Sequence, residues 1–268
     1  MSSTPYKMYH PVEEVESLET HGQCWKGESI DEGIEICRYQ LIEPIFRKYL
    51  PRPGRILEAG CGLGRWVFYL RRLGYDVVGI DLASDALRLA KEYDSGAPIQ
   101  SDDILHTSYP DRTFDAVISL GVMEHFEEGP QGPLTEAWRI LKDDGLLFVT
   151  VPVQNFSRRL FANPLKELKR ALRKRKGARY AFEEYRYTRA QFESRLLQAR
   201  FEILDVLPDD YRAPKNMGLY VDYPFLRHPG NKWELNGPGK LLAGLLNVIS
   251  LRLASAGMLW VCRKKISP

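Results

Sequence analysis

From residue 55 onward the chain alternates short β-rich runs with stretches of helical periodicity, and this alternation constrains the fold more than any other feature of the 268 residues. The pattern predicts strands at 55–59, 76–81 ("DVVGID"), 98–100, 114–120 ("FDAVISL") and 145–151 ("GLLFVTV"). Between them, 64–73, 84–93 and 134–142 carry apolar residues at helical spacing. Gly74 stops the first of these helices, and Ser84 stands where it can cap the second. Later come a helix opened by a Thr188–Gln191 capping box and strands at 201–207 and 257–263. Such alternation implies a doubly wound α/β fold, with parallel strands covered by helices on both faces. In sheets of this kind ligands bind at the carboxyl ends of the strands, beside the first one.

That position holds "RILEAGCGLGRW", residues 55–66, with glycine at 60, 62 and 64. Alternate glycines after a buried strand let backbone come close to a ligand. A dinucleotide fingerprint needs glycine at position 65, which is Arg65 here, and Glu58 is a poor neighbour for a pyrophosphate. Both features count against a nicotinamide dehydrogenase. Asp81 closes the second strand about twenty residues after the glycines, where a carboxylate accepts both ribose hydroxyls. Asp103, at the end of the third strand, can accept from an adenine amino group, and the Ile104 amide can serve a ring nitrogen. A ligand with adenine, ribose and a cationic amino-acid tail suits these acids. Glu58 would then lie near the ammonium or organise the loop.

At these residues the chain resembles the class I S-adenosylmethionine-dependent methyltransferases, in particular the broad type 11 group that acts on small molecules. "ILEAGCGLGRW" is similar to the family's first motif, and "VVGIDLASDALRLAK" to its second strand with the ribose acid Asp81. "DILHTSYPDRTFDAVISLGVMEHF" resembles the segment from the adenine acid through the fourth strand, and "EAWRILKDDGLLFVTVP" the fifth strand with its preceding helix. The resemblance spans 38–153 closely, and 181–207 and 257–265 more loosely. It implies a Rossmann-like, mostly parallel seven-stranded sheet with helical insertions, and S-adenosylmethionine as cofactor, leaving as S-adenosylhomocysteine. The implied cofactor site is Glu58, Gly60, Cys61, Gly62, Gly64, Asp81, Leu82, Asp103, Ile104 and Leu120. One methyltransferase domain over 1–268 is expected, with a lid segment at 1–37, a basic helical insertion at 155–180 and a second insertion at 208–256.

Methyl transfer from a sulfonium is an in-line displacement, and holding the nucleophile within about 3–3.5 Å of the methyl supplies much of the rate. A base is needed only where the acceptor loses a proton. His125, in "MEHF", is the candidate base; a structural histidine of the loop is the other reading. Ubiquinone-pathway O-methyltransferases have Glu-x-x-Glu-His here, with a proposed metal role. This chain has Gly121 at the first acid and keeps Glu124 and His125, so no metal is carried over. Glu183, Glu184, Tyr185 and Tyr187 stand where related enzymes cover the acceptor pocket, or else in the core; Trp25 is a candidate cofactor lid.

Charge separates one segment from the rest. Residues 155–179 hold ten Lys or Arg and one acid, Glu167, a net +9 in a chain of formal charge +3. The spacing predicts a helix capped by Asn163, with Pro164 at its first position, Gly177 at its end, and Leu165, Leu168 and Leu172 as one apolar stripe. Such a helix can lie on an anionic membrane, grip RNA phosphates or act as a solvated lid. "GKLLAGLLNVISLRLAS", 239–255, is apolar but short for a span, and fits a buried or interfacial helix. The leading expectation is methyl transfer to a small molecule, lipid-like or isoprenoid, with peripheral membrane contact through 158–176 and 240–255. The alternatives are an RNA methyltransferase using the basic helix at 163–176, or a non-catalytic nucleoside-binding protein. No Asn/Asp-Pro-Pro-Tyr box or aromatic interleaving supports RNA. Cys24, Cys37, Cys61 and Cys262 have no metal-ligand spacing, and 1–19 has no apolar export core, so reduced thiols in the cytoplasm are expected.

Overall fold

The computed structural model of the chain describes residues 4–12, 28–209, 222–250 and 255–266. β1 (Tyr6–Pro11) is followed by helices α1 (Ile30–Cys37) and α2 (Glu43–Tyr49). β2 (Arg55–Ala59) is buried at every position after Arg55, as a central parallel strand covered on both faces must be. Then come α3 (Arg65–Arg72), β3 (Asp76–Asp81), α4 (Ser84–Tyr93), β4 (Ile99–Ser101), β5 (Phe114–Leu120), α5 (Gln131–Ile140) and β6 (Leu141–Pro152). The second half holds α6 (Asn163–Arg175), β7 (Tyr180–Arg186), α7 (Arg189–Gln198), β8 (Phe201–Pro208), β9 (Arg227–His228), β10 (Asn231–Leu235), α8 (Gly237–Ile249) and β11 (Gly257–Lys264).

Seven strands form one sheet in the order β4-β3-β2-β5-β6-β11-β8. The first five run parallel, and β11 is antiparallel to both β6 and β8. This is the doubly wound, mostly parallel sheet that the alternation predicts. Strand order reverses between β2 and β5, which opens a crevice at their carboxyl ends. One face is packed by Phe46, Trp66, Val67 and Phe148, with the Phe46 and Trp66 rings edge to face at 4.9 Å. On the other face Leu134, Tyr187, Phe192 and Trp260 form the core.

Several local expectations change. Ser84 does not cap α4; the cap is Ala83, whose N–H is held by Asp81 Oδ1 at 2.8 Å. β6 begins at Leu141, earlier than the predicted 145, and α5 ends just before it. Asn163 is a helical residue rather than a cap, because a turn of π-helix at Arg158–Ala162 runs directly into α6. The capping box at Thr188 and Gln191 is present in full. Most of the segment 181–188 is a strand that ends at Arg186: β7 pairs antiparallel with β1, from Tyr6 opposite Arg186 to Pro11 opposite Tyr180.

The basic insertion is fixed by a buried ion cluster. The Asp222 carboxylate meets Arg158 Nε at 2.6 Å, Arg186 at 2.9 Å and Lys166 Nζ at 2.9 Å. Arg158 also donates to the Val153 carbonyl at 2.7 Å, so the cluster ties the insertion to the end of β6. Burial raises the Asp222 pKa, but the Arg158, Arg186 and Lys166 charges outweigh it and hold the carboxyl below its ordinary range. α8 is capped by Asn236 and packs Ala243 and Leu246 on Leu226 and Leu235, away from the main sheet. Among the described residues no helix is long and apolar enough to cross a membrane.

Candidate functional site

The turn after β2 is built by left-handed glycines: Gly60 has φ +81°, Gly62 +51° and Gly64 +74°. The amides of Gly60 and Cys61 both donate to the Ile80 carbonyl, at 2.8 and 3.0 Å, which pins the turn to β3. A Cβ on Gly60 would lie 2.4 Å from Val122, and one on Gly64 2.3 Å from Ile99. The bareness of these two glycines therefore serves packing of the turn against β4 and the loop after β5. The sequence reading, in which they admit a ligand, missed that role.

Asp81, at the end of β3, accepts the Gly62 N–H at Oδ2 (2.7 Å) and the Ala83 N–H at Oδ1 (2.8 Å). A carboxylate oxygen has two lone pairs, so each can take one further hydrogen bond. Glu58, at the end of β2, is only 4% exposed and accepts the Val67 N–H at 3.0 Å, anchoring the start of α3. Burial pushes its carboxyl up to about 8, against the opposing pull of Arg65 and that hydrogen bond.

These groups open on a cavity of about 580 Å3 at the carboxyl ends of the central strands. It brings together Glu58, Gly60, Cys61, Gly62, Asp81, Leu120 and His125 from the sequence expectations. Gly64, Leu82, Asp103 and Ile104 do not line it. Gly64 starts α3; Asp103 Oδ1 accepts the Leu105 N–H at 2.9 Å; Ile104 is buried; Leu82 is exposed. The opposite wall is α1, which brings Ile30, Gly33 and Ile36, with its cap Ser29, to the cavity. None of these was singled out from the sequence. The signal was there in Ser29, whose hydroxyl caps α1 by accepting the Glu32 N–H at 3.3 Å. Trp25 lies outside the described residues.

His125 ends a short 3-10 turn, Met123–His125, after β5. Its Nδ1 lies 2.7 Å from the Glu183 carbonyl of β7. A carbonyl only accepts, so Nδ1 carries the proton and the lone pair of the neutral ring is on Nε2. Its neighbour Glu124 is buried, and Oε2 has no hydrogen-bond partner among the described residues. Burial, with the charges of Glu184 and Asp209, holds that carboxyl well above its ordinary value, against its own backbone hydrogen bond. Tyr185 and Tyr187 are core residues, although the buried Tyr187 hydroxyl has no hydrogen-bond partner among the described residues. A second cavity, of about 450 Å3, lies between the β1–β7 ribbon and α6, with Glu183, Lys166, Lys169, Arg170 and Arg173 in its walls.

The strand order and the position of the cavity define a Rossmann-like α/β fold of the class I methyltransferase type. Residues 57–149 match the family described as "Methyltransferase domain". Over that stretch the chain is similar to the class I S-adenosylmethionine-dependent methyltransferases. It is 31% identical over 105 residues to phosphoethanolamine N-methyltransferase 3 of Arabidopsis thaliana, across 37% of this chain and 21% of that one. To a ubiquinone biosynthesis O-methyltransferase of Glaesserella parasuis it is also 31% identical over 105 residues, across 36% and 44%. The match thus spans less than half the length of these curated relatives. Among solved structures, an S-adenosylmethionine-dependent methyltransferase of Methanosarcina mazei superposes with a TM-score of 0.59 at 20% identity, over 84% of this chain and 98% of that one. The [4+2]-cyclase SpnF superposes with a TM-score of 0.54 at 18% identity, over 88% and 82%. The fold alone therefore does not name the reaction.

Proposed function

We propose that the protein transfers a methyl group from S-adenosylmethionine to a small-molecule acceptor. The observation that carries this reading is the Asp81 carboxylate, held by Gly62 and Ala83 at the cavity with a lone pair to spare on each oxygen. That pair of acceptors fits vicinal ribose hydroxyls, and the volume lies within the usual range for a small-molecule site, about 300–1,000 Å3. Asp81 would hold the ribose, and Glu58 with the turn 60–62 the amino-acid end. In this reading Leu120, which lines the cavity, flanks the base, and Leu82, Asp103 and Ile104 lie outside the lining. When bound, the cofactor supplies an electrophilic methyl with a neutral leaving group.

The protein's own contribution is position and, where the acceptor is acidic, a proton site. Nε2 of His125 is the basic nitrogen of the neutral ring, fixed by the bond from Nδ1 to β7. α1 closes the wall opposite the glycine turn and limits access of water. The acceptor is read as having a lipid-like or isoprenoid part, supported by the apolar side chains exposed on α6 and α8 beyond β6 and β7. An RNA acceptor is the second reading, on the charge of 155–179 alone.

The test combines methyl-labelled S-adenosylmethionine, purified protein and a cell extract, separated afterwards into organic, aqueous, protein and RNA fractions. Label in the organic or aqueous small-molecule fraction is expected, and the organic phase specifically for a lipid-like acceptor. Label in RNA would replace the leading reading with the second. Cofactor binding by calorimetry without transfer to any fraction would point to a nucleoside-binding protein. In the same assay His125→Ala should bind cofactor normally and lose turnover; unchanged turnover removes His125 as the base.

A further inference from the structure

The strongest feature outside the cofactor cavity is the outer face of α6. Leu165, Leu168 and Leu172 are 49, 59 and 50% exposed, and the preceding turn exposes Phe156, Leu160 and Phe161. Recurrence at three and four residues puts the leucines in one stripe. Lys169 and Lys176 follow Leu165 and Leu172 by four, and Arg175 follows Leu172 by three, so exposed cations border the stripe. A further flank, with Lys166, Lys169, Arg170 and Arg173, turns to the 450 Å3 cavity. Some of that charge is spent internally, Arg170 on Glu167 and Lys166 on Asp222; the formal +9 of the segment already counts Glu167, and Asp222 removes only one charge more.

A second apolar face belongs to the same region. α8 exposes Leu241, Leu245, Val248 and Ile249, the valine at 88%, and Phe225, ahead of β9 and β10, is exposed too. The segment carrying Phe225 and α8 is attached to the insertion through Asp222 to Arg158 and Lys166, and through Tyr223 to Ser157 at 2.9 Å. Two helices of one region thus leave their apolar faces unsatisfied.

We propose that this region is an interfacial anchor that docks on the surface of an anionic lipid bilayer, with the α6 leucines at the acyl boundary and the flanking cations at the lipid phosphates. Leucine and phenylalanine on one face with Lys and Arg beside them are what such a position requires, since apolar burial and headgroup attraction then act together. Charge selects this occupant over two others. A second copy of the chain meeting the stripe about a twofold axis would set one +9 segment against another. RNA phosphates would satisfy the charge but leave the leucines in water, with no aromatic platform on α6 for bases. The docking is independent of the methyl-transfer reading and brings the protein to the membrane whatever its acceptor.

The experiment is flotation of the full chain with vesicles of phosphatidylcholine alone and of phosphatidylcholine with phosphatidylglycerol, without cofactor. The protein is expected to float with the anionic vesicles, less so at high salt, and to stay behind with the neutral ones. Leu165→Glu/Leu168→Glu/Leu172→Glu should abolish flotation. Because these side chains are half exposed, thermal melting and S-adenosylmethionine binding should persist in that variant. Lys169→Gln/Arg175→Gln/Lys176→Gln keeps the stripe and should lower the partition coefficient by about fivefold per charge, roughly a hundredfold in all. Absence of flotation in the unmodified chain overturns the proposal, as does equal binding to both vesicle types. Unimpaired flotation of the leucine variant overturns it too. So would light scattering that shows a dimer dispersed by the leucine substitutions, or salt-sensitive RNA binding, with no flotation in either case.

Discussion

Replacing Glu58 by glutamine should alter the pH dependence of stability more than its value in acid. Glu58 is almost fully buried, and burial is the main reason its carboxyl titrates near 8 instead of 4.5. Between those values the native state keeps a proton that the unfolded chain has lost, so stability falls as pH rises through the window. The slope is about 1.4 kcal/mol per pH unit, and across the whole window the loss approaches roughly 5 kcal/mol as an upper figure. Glutamine has the same shape, and its side-chain oxygen can still accept the Val67 N–H, but it has no charge to desolvate. The variant and the parent should therefore converge below pH 4.5 and diverge with rising pH in favour of the variant, levelling off above pH 8. Urea denaturation at fixed ionic strength over that range measures this directly. Parallel stability curves would refute the reasoning, because the buried carboxyl would then titrate as an exposed one does. In the proposed reading the same substitution should also weaken S-adenosylmethionine binding, since the cofactor's ammonium would lose a carboxylate partner.

Asp81→Asn loses the charge and points an amide N–H₂ at one of the two backbone donors it now satisfies. A hydrogen bond to a charged group contributes about 1.5–3 kcal/mol, so calorimetry should show cofactor affinity falling at least ~10-fold; an unchanged affinity contradicts the ribose role. Gly64→Ala forces a Cβ to within 2.3 Å of Ile99 Cδ1 at φ +74° and should cost about 1–3 kcal/mol in chemical denaturation. Adding Ile99→Val should recover part of that loss, and no recovery would mean that backbone strain alone matters. Asp222→Asn leaves Arg158 and Arg186 buried without their shared anion and should cost about 3–5 kcal/mol. Its contribution is present above the unfolded carboxyl pKa and fades only in strong acid, since the native value is held below the ordinary range.

The parallel part of the sheet was readable because most of its strands are apolar runs followed by their own helix, and such local units announce themselves; β4, three residues with no helix after it, is the exception. The β1–β7 ribbon was not, because neither Tyr6–Pro11 nor Tyr180–Arg186 has a buried face that alternates cleanly; both are half-buried along most of their length. Their pairing is a long-range event with no local mark. Asn163 carries the composition of a cap, but the turn before it continues the helical path, and tertiary anchoring of Arg158 overrides the local preference. In the site, the carboxylates Glu58 and Asp81 stand where their spacing indicated. The α1 wall was invisible because a capped amphipathic helix carries no sign of where it will dock. Glycine posed a subtler problem. A residue with no side chain does not reveal whether the missing atom makes room for a ligand or for Ile99.

The place of β11 in the sheet has a consequence for synthesis. It lies between β6 and β8, yet it is made after both, on the far side of the stretch from 208 to 257. Until it leaves the ribosome, β6 and β8 each present an open edge to the other chains around them. The parallel strands can assemble early, but the seam that joins β8 to them closes only when residue 264 arrives. Shortening the chain before 257 would thus leave two unpaired edges in place of one lost strand, and a nascent chain halted there is a natural client for a chaperone.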